Sequence, residues 1–137
     1  MAHRVSFPFE RRPSPLFGTV QRPIAVVELW SLKIHGWVRV AMLVDTGADY
    51  TLLPNIYAAH LGVRLKAECQ AFDTMGIGGS ERVFLLRRWQ MRLGKWERQI
   101  PLGFLTRNDV PPLLGRQACL ETFKVTLFRH RTIFSIR

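Results

Sequence analysis

One aspartate stands where an acid is least expected. An apolar run, Ala41-Met42-Leu43-Val44, leads directly into Asp45-Thr46-Gly47, and an ionised carboxylate at the end of such a run is costly to desolvate unless it is paired or hydrogen-bonded. The next two residues supply what a tight carboxylate-presenting turn needs: a hydroxyl, and a glycine whose backbone can bend and approach closely. The same residue types also end ordinary strands, so the tripeptide alone is a candidate and no more. Of the four aspartates, Asp45, Asp49, Asp73 and Asp109, only Asp45 has this setting. A carboxyl so placed suits proton transfer at a reacting centre. Competing chemistries have no comparable motif. His3, His35, His60 and His130 are scattered without metal-ligand spacing, and Cys69 and Cys119 are isolated, reading as core thiols. There is no serine-hydrolase elbow, zinc-binding helix motif or phosphate-binding glycine loop. No metal and no cofactor is expected.

Such a turn needs a rigid scaffold, and the pattern around it is one of short strands. Ile24 to Trp30 and Trp37 to Val44 are rich in Val, Ile and Trp, with an apolar face at period two in Val38, Val40, Met42 and Val44. His35-Gly36 is the turn between them. Pro54 to Leu61 predicts a short helix stopped by Gly62. Residues 63–74 and 80–93 read as two strands around a glycine-rich tip, Met75-Gly76-Ile77-Gly78-Gly79-Ser80. Gly94 turns the chain into a strand from Lys95 to Leu105. After a loop at 108–112, Leu113-Leu114 is a brief strand, Gly115 to Phe123 a second short helix, and Val125–Phe128 and Thr132–Ile136 closing strands. Residues 1–17, with Pro8, Pro13 and Pro15, read as an extended arm without regular structure of its own; residues 18–137 form one domain. Trp37, Trp89 and Trp96 belong with the core. Many short strands against two short helices predict an all-β, closed-barrel domain.

Three segments together resemble the retropepsin family of single-domain aspartic proteases. Leu43-Val44-Asp45-Thr46-Gly47-Ala48-Asp49-Tyr50-Thr51-Leu52-Leu53-Pro54 is similar to the family's catalytic loop and following strand. The glycine tip at 75–80 is similar to its flap. Pro112-Leu113-Leu114-Gly115-Arg116 is similar to the two apolar residues and glycine that precede its C-terminal helix. The resemblance implies a homodimer acting on polypeptide substrates, with Asp45 catalytic and Thr46, Gly47 and Ala48 supporting the loop. It further implies substrate contacts from Gly47, Asp49, Gly76, Ile77, Gly78 and Gly79, and a structural ion pair between Asp49 and Arg116. Peptide hydrolysis by carboxyls needs one group to take a proton from water and another to give one to the carbonyl oxygen. With one Asp-Thr-Gly per chain, the second carboxyl must come from a second copy across a two-fold axis. In retroviral members the chain termini interleave at the dimer interface, and the tail Thr132–Arg137 alternates well enough to pair in that way. The length fits a free-standing, bacterial-type member.

The formal charge is +10, with sixteen arginines. No nucleic-acid motif accompanies it, so a solvated basic face is expected and a nucleic-acid partner is not. No run reaches the length of a membrane-spanning helix and no secretory signal opens the chain, which predicts a cytoplasmic protein without a membrane partner. A second function stays open: a catalytically silent module on the same fold that dimerises or binds protein. Ala48 separates this loop from pepsin-like ones, which carry Ser or Thr there. A hydroxyl donating to a carboxylate favours its charged form and lowers its pKa, and alanine cannot donate. Ala48→Ser is therefore expected to move the acid limb of the kcat/KM profile to lower pH, measured on one peptide substrate from about pH 3 to 7; an unmoved limb would refute the argument.

Overall fold

The structure, a computed structural model, describes residues 3–76 and 79–136. Twelve strands are numbered in chain order: β1 (Arg4–Pro8), β2 (Glu10–Ser14), β3 (Gly18–Arg22), β4 (Ile24–Ser31), β5 (Gly36–Val44), β6 (Thr51–Leu53), β7 (Gln70–Gly76), β8 (Gly79–Leu93), β9 (Trp96–Leu105), β10 (Leu113–Leu114), β11 (Lys124–Phe128) and β12 (Arg131–Ser135). Two short helices, α1 (Ile56–Leu61) and α2 (Leu65–Glu68), and a 3-10 turn at Leu120–Thr122 complete the described elements. The all-β architecture expected from the sequence is the one observed.

The main sheet runs β4-β5-β10-β6-β9-β8-β7, and β4 also pairs with β8, so the sheet curls back on itself. Strict alternation in β4 turns Ala25, Val27 and Leu29 into the enclosed space, where each is fully buried. Met42 of β5, Met91 and Leu93 of β8, and Ile100, Leu102 and Phe104 of β9 fill it from the other walls. Each such side chain removed from water contributes roughly 1.5–3 kcal/mol. α1 caps one end with Ala58 and Leu61 and stops where expected, at Gly62 in the left-handed region (φ 75°). Trp89 and Trp96 pack against the core from its edge. Trp30 and Trp37 meet edge to face at 5.5 Å.

Four expectations are corrected. The first 17 residues are extended but not without regular structure: β1 pairs with β12, and β2 with β3 as a separate hairpin whose turn spans the boundary drawn at residue 17. Its prolines suggested an arm, yet Pro8 and Pro13 lie in strands with a single neighbour, where a missing N–H is tolerated. Residues 63–69 are not strand: α2 forms there, helped by an Arg64–Glu68 pair at i,i+4, and the strand begins only at Gln70. Gly115 to Phe123 is no helix: turns lead into a 3-10 turn at Leu120–Thr122, and Ala118 sits at φ 55°, which a right-handed helix cannot contain. The tail differs too. β12 has β1 on one side and β11 on the other, both from its own chain, so it offers no open edge to a partner. Among the described residues no helix is long and apolar enough to cross a membrane.

The seam that closes the curled sheet is also electrostatic. Glu28 of β4 and Arg92 of β8 are direct cross-strand partners, joined by two hydrogen bonds of 3.0 and 3.1 Å, and the Arg92 guanidinium stacks over Trp37 at 4.3 Å. The hydrogen bonds from Arg92 hold the Glu28 carboxyl below its usual range, outweighing partial burial. A carboxyl whose folded pKa is depressed stabilises the fold above its unfolded pKa, and that stability is lost as pH falls through the folded value. Glu28→Gln is thus expected to lower the urea midpoint at pH 7, with the gap to wild type closing by about pH 3; a gap of equal size at both pH values would show that the charge is not its source.

Candidate active site

β5 ends at Val44, and the loop that follows is fixed by a strand arriving from far along the chain. β10 inserts between β5 and β6, parallel to the first and antiparallel to the second. Leu113 and Leu114 lie beside Leu43 and Val44, and the Asp45 N–H donates to the Leu114 carbonyl at 3.0 Å. On the other flank the Val44 N–H donates to the Pro23 carbonyl at 2.9 Å. Asp45 thus emerges from a strand held on both sides.

Past Asp45 the chain makes a compact turn. The Gly47 N–H donates to Asp45 Oδ1 at 2.9 Å, and the Ala48 N–H to the Asp45 carbonyl at 3.2 Å. A side chain on Gly47 would put its Cβ 3.3 Å from Oδ1, so the glycine lets an amide reach the carboxylate without crowding it. Asp45 is half-buried, and Thr46 and Gly47 are exposed. The carboxylate is therefore steered by a backbone N–H while its surroundings stay open.

The second half of the turn is sewn to the segment after β10. The Arg116 N–H donates to the Ala48 carbonyl at 3.0 Å and the Gln117 N–H to the Asp49 carbonyl at 2.8 Å. The Arg116 guanidinium also forms an ion pair with the Asp49 carboxylate. Both side chains are largely exposed (43% and 68%), so the pair is held in place by its backbone bonds more than it contributes to stability.

Two residues that sequence reasoning left without a role lie beneath. Thr51, fully buried, accepts the Gly115 N–H on its Oγ1 at 3.1 Å. Cys119 is fully buried below it, and burial pushes its thiol up to about 12, a hydrogen bond with Thr51 offsetting part of the shift. Cys69 and Cys119 are both free thiols. Neither support role has a motif; each is a consequence of where β10 crosses.

Gly76 and Gly79 face each other as the last pair of the β7–β8 hairpin. Ile77 and Gly78, also expected at this tip, lie outside the described residues. The structure thus brings together Asp45, Gly47, Ala48, Asp49 and Arg116, while Gly76 and Gly79 stand on a separate hairpin. Among the described residues no group of three or more His, Cys, Asp or Glu is placed to hold a metal ion.

Comparison with known proteins identifies the family and the fold. Residues 30–119, more than half of the chain, match the family model described as "gag-polyprotein putative aspartyl protease". Among solved structures the chain is similar to a retropepsin-like aspartic protease from Rickettsia conorii, with a TM-score of 0.70 at 19% sequence identity, over 96% of this chain and 98% of that one. No curated protein sequence matches. The chain belongs to the retropepsin-like aspartic protease family and has its all-β fold.

Gly115 is the tightest point of the assembly. A Cβ there would lie 2.2 Å from the Tyr50 carbonyl carbon and 2.3 Å from its oxygen, both backbone atoms. Gly115→Ala is expected to destabilise by about 3 kcal/mol or more, because backbone must move. Thr51→Val, which strands the Gly115 N–H, should cost roughly 1–3 kcal/mol. Urea titration of both variants checks this; a Gly115→Ala midpoint within error of wild type would contradict the packing.

Proposed function

We propose that the chain is an aspartic endopeptidase in which Asp45 from each of two identical subunits forms one shared site. The observation that carries the reading is the single Asp45-Thr46-Gly47 turn. One half-exposed carboxylate is steered by the Gly47 amide, while the neighbouring acid, Asp49, is engaged by Arg116. Half of a two-carboxylate site is built in each chain, and a two-fold axis beside Asp45 supplies the other half.

The chemistry follows from bringing two such carboxyls together. Two close carboxylates cannot both ionise cheaply, so the pair holds one proton between them. The ionised member takes a proton from a water as its oxygen attacks the peptide carbonyl carbon. The protonated member gives its proton to the carbonyl oxygen. The first carboxyl, now protonated, gives that proton to the leaving nitrogen while the second, now ionised, takes one back from a hydroxyl of the tetrahedral diol, so the carbonyl re-forms as the C–N bond breaks. Both carboxyls are then ready for the next water, and no cofactor enters. The exposed Thr46 faces where the partner's loop would stand. Gly47 and Asp49 line the approach of a substrate backbone. The β7–β8 hairpin serves as the flap that covers a bound polypeptide and excludes water.

Cleavage of a diverse peptide library between about pH 4 and 8, read by mass spectrometry, tests the proposal with Asp45→Asn beside wild type. The variant keeps the side chain's shape and is expected to lose activity by at least about 10²–10⁴-fold. Activity per subunit should also fall on dilution through the dimer dissociation constant. A confirmed wild-type dimer that cuts nothing would turn the assignment to a binding module on the same fold, and cleavage unchanged by Asp45→Asn would refute Asp45 as the catalytic group.

A further inference from the structure

We infer that Tyr50 is a positioning residue: through an aromatic contact with Phe72 it fixes the root of the β7–β8 hairpin to the Asp45 loop, and so sets where that hairpin stands. The catalytic consequence rests on the protease reading; the contact itself does not.

The register shows why this place matters. Phe72 of β7 pairs with Val83 of β8, and Val83 pairs in turn with Leu105, the last residue of β9. Beyond that level β8 has β7 as its only strand neighbour. Residues 73–76 and 79–82 therefore project as a two-stranded ribbon. Such a ribbon is marginal by itself, and its direction is decided where it leaves the sheet. The Tyr50 and Phe72 rings meet at that level, with centroids 6.3 Å apart and planes at 64°, an edge-on geometry that aromatic quadrupoles favour.

Both rings come from backbone held by neighbouring segments. Tyr50 follows Asp49, its peptide rests on Gly115, and the next residue, Thr51, is buried and bonded to the Gly115 amide. The Tyr50 ring lies over bare Gly103: a Cβ there would be 2.9 Å from Tyr50 Cε2, and equally close to Leu52 and Val83. The ring thus fills the space that the glycine leaves, and its burial raises the phenol pKa, with the Asp49 charge adding to the effect. On β7 the alternation turns Phe72 and Thr74 toward the body, half-buried, and leaves Ala71, Asp73 and Met75 exposed. Asp73 pairs with Arg82 on that outer face at 3.0 Å. The hairpin has a defined underside, and Phe72 is where that underside touches the loop bearing the carboxylate.

The test is a double-mutant cycle with two readouts: Tyr50→Leu, Phe72→Leu, the double variant, and Tyr50→Phe, which keeps the ring. The first readout is amide hydrogen exchange of ribbon residues 73–75 and 80–82, with β5 amides as the control for intact fold. Each leucine variant should speed ribbon exchange about 2- to 12-fold, the range expected for losing one edge-to-face pair. The double variant should go no further, and Tyr50→Phe should match wild type. The second readout is peptide cleavage, where the same variants should raise KM in the same range and leave kcat close to wild type. Unchanged ribbon exchange in either single variant, or effects that simply add in the double, would overturn the inference. A wild type without cleavage would instead count against the protease reading, and the exchange cycle would still decide the contact.

Discussion

The site depends on a crossing that leaves no room for a side chain. β10 has to slip between β5 and β6 and then pass beneath the Tyr50 peptide, and at that point any residue larger than glycine would collide with backbone. Because Gly115 fits, its amide reaches Thr51, the Leu114 carbonyl reaches the Asp45 amide, and Arg116 and Gln117 arrive opposite the Ala48 and Asp49 carbonyls. Close packing makes these bonds mutually dependent, since an interior at crystal-like density cannot absorb a shift of one peptide without moving the next. The position of a carboxylate near the start of the domain is thus set by residues near its end. That non-local dependence is costly in chain entropy, and it is met by the curled sheet that brings β5, β6 and β9 into place around β10.

The same economy governs charge. Part of the arginine complement that the sequence presents as a basic face is engaged with acidic neighbours. Arg92 closes the β4–β8 seam with Glu28, Arg82 braces the hairpin with Asp73, Arg107 joins Glu81 to Asp109, and Arg116 holds Asp49. Most of these pairs are exposed, so their value lies in orientation more than in energy. Where a pair is shielded, as at Glu28–Arg92, it lies on a register pair that the sheet has already formed.

Legibility in the sequence tracked how local the cause was. β4 and β5 could be read because a buried face writes itself as alternation, and α1 because Gly62 ends it. The Asp45 turn could be read because three adjacent residues carry its requirements. β1 and β2 could not: prolines and arginines look like an arm, and only the pairing of β1 with β12 and of β2 with β3 makes them strands. The supposed helix after Gly115 has helix-compatible residues, but the bonds from Arg116 and Gln117 to the Asp45 loop, with Ala118 in the left-handed region, bend it into turns. A bulge interrupts β8 at Arg87 and Arg88 opposite Pro101, which has no amide to give the ladder. Thr51 and Gly103 were silent for the same reason: their roles come from what lies against them in space.

What suits the Asp45 turn to the proposed role, beyond a well-packed loop, is how its polar groups divide. Along its inner side the amide of Asp45 and the carbonyls of Asp45, Ala48 and Asp49 are each taken by a backbone partner, so the turn has little reason to rearrange. On its outer side Thr46 and Gly47 are exposed, and the Asp49 carboxylate stays largely exposed although Arg116 engages it. The Asp45 carboxyl sits on the border between the two sets, one oxygen steered by an amide of its own turn. A loop satisfied throughout would have nothing to offer a substrate or a second subunit. A loop satisfied nowhere could not hold a carboxyl to the fraction of an ångström that proton transfer requires. Preorganisation on one side and exposure on the other is the arrangement that the proposed half-site needs, because a second half would have to find the first already in position.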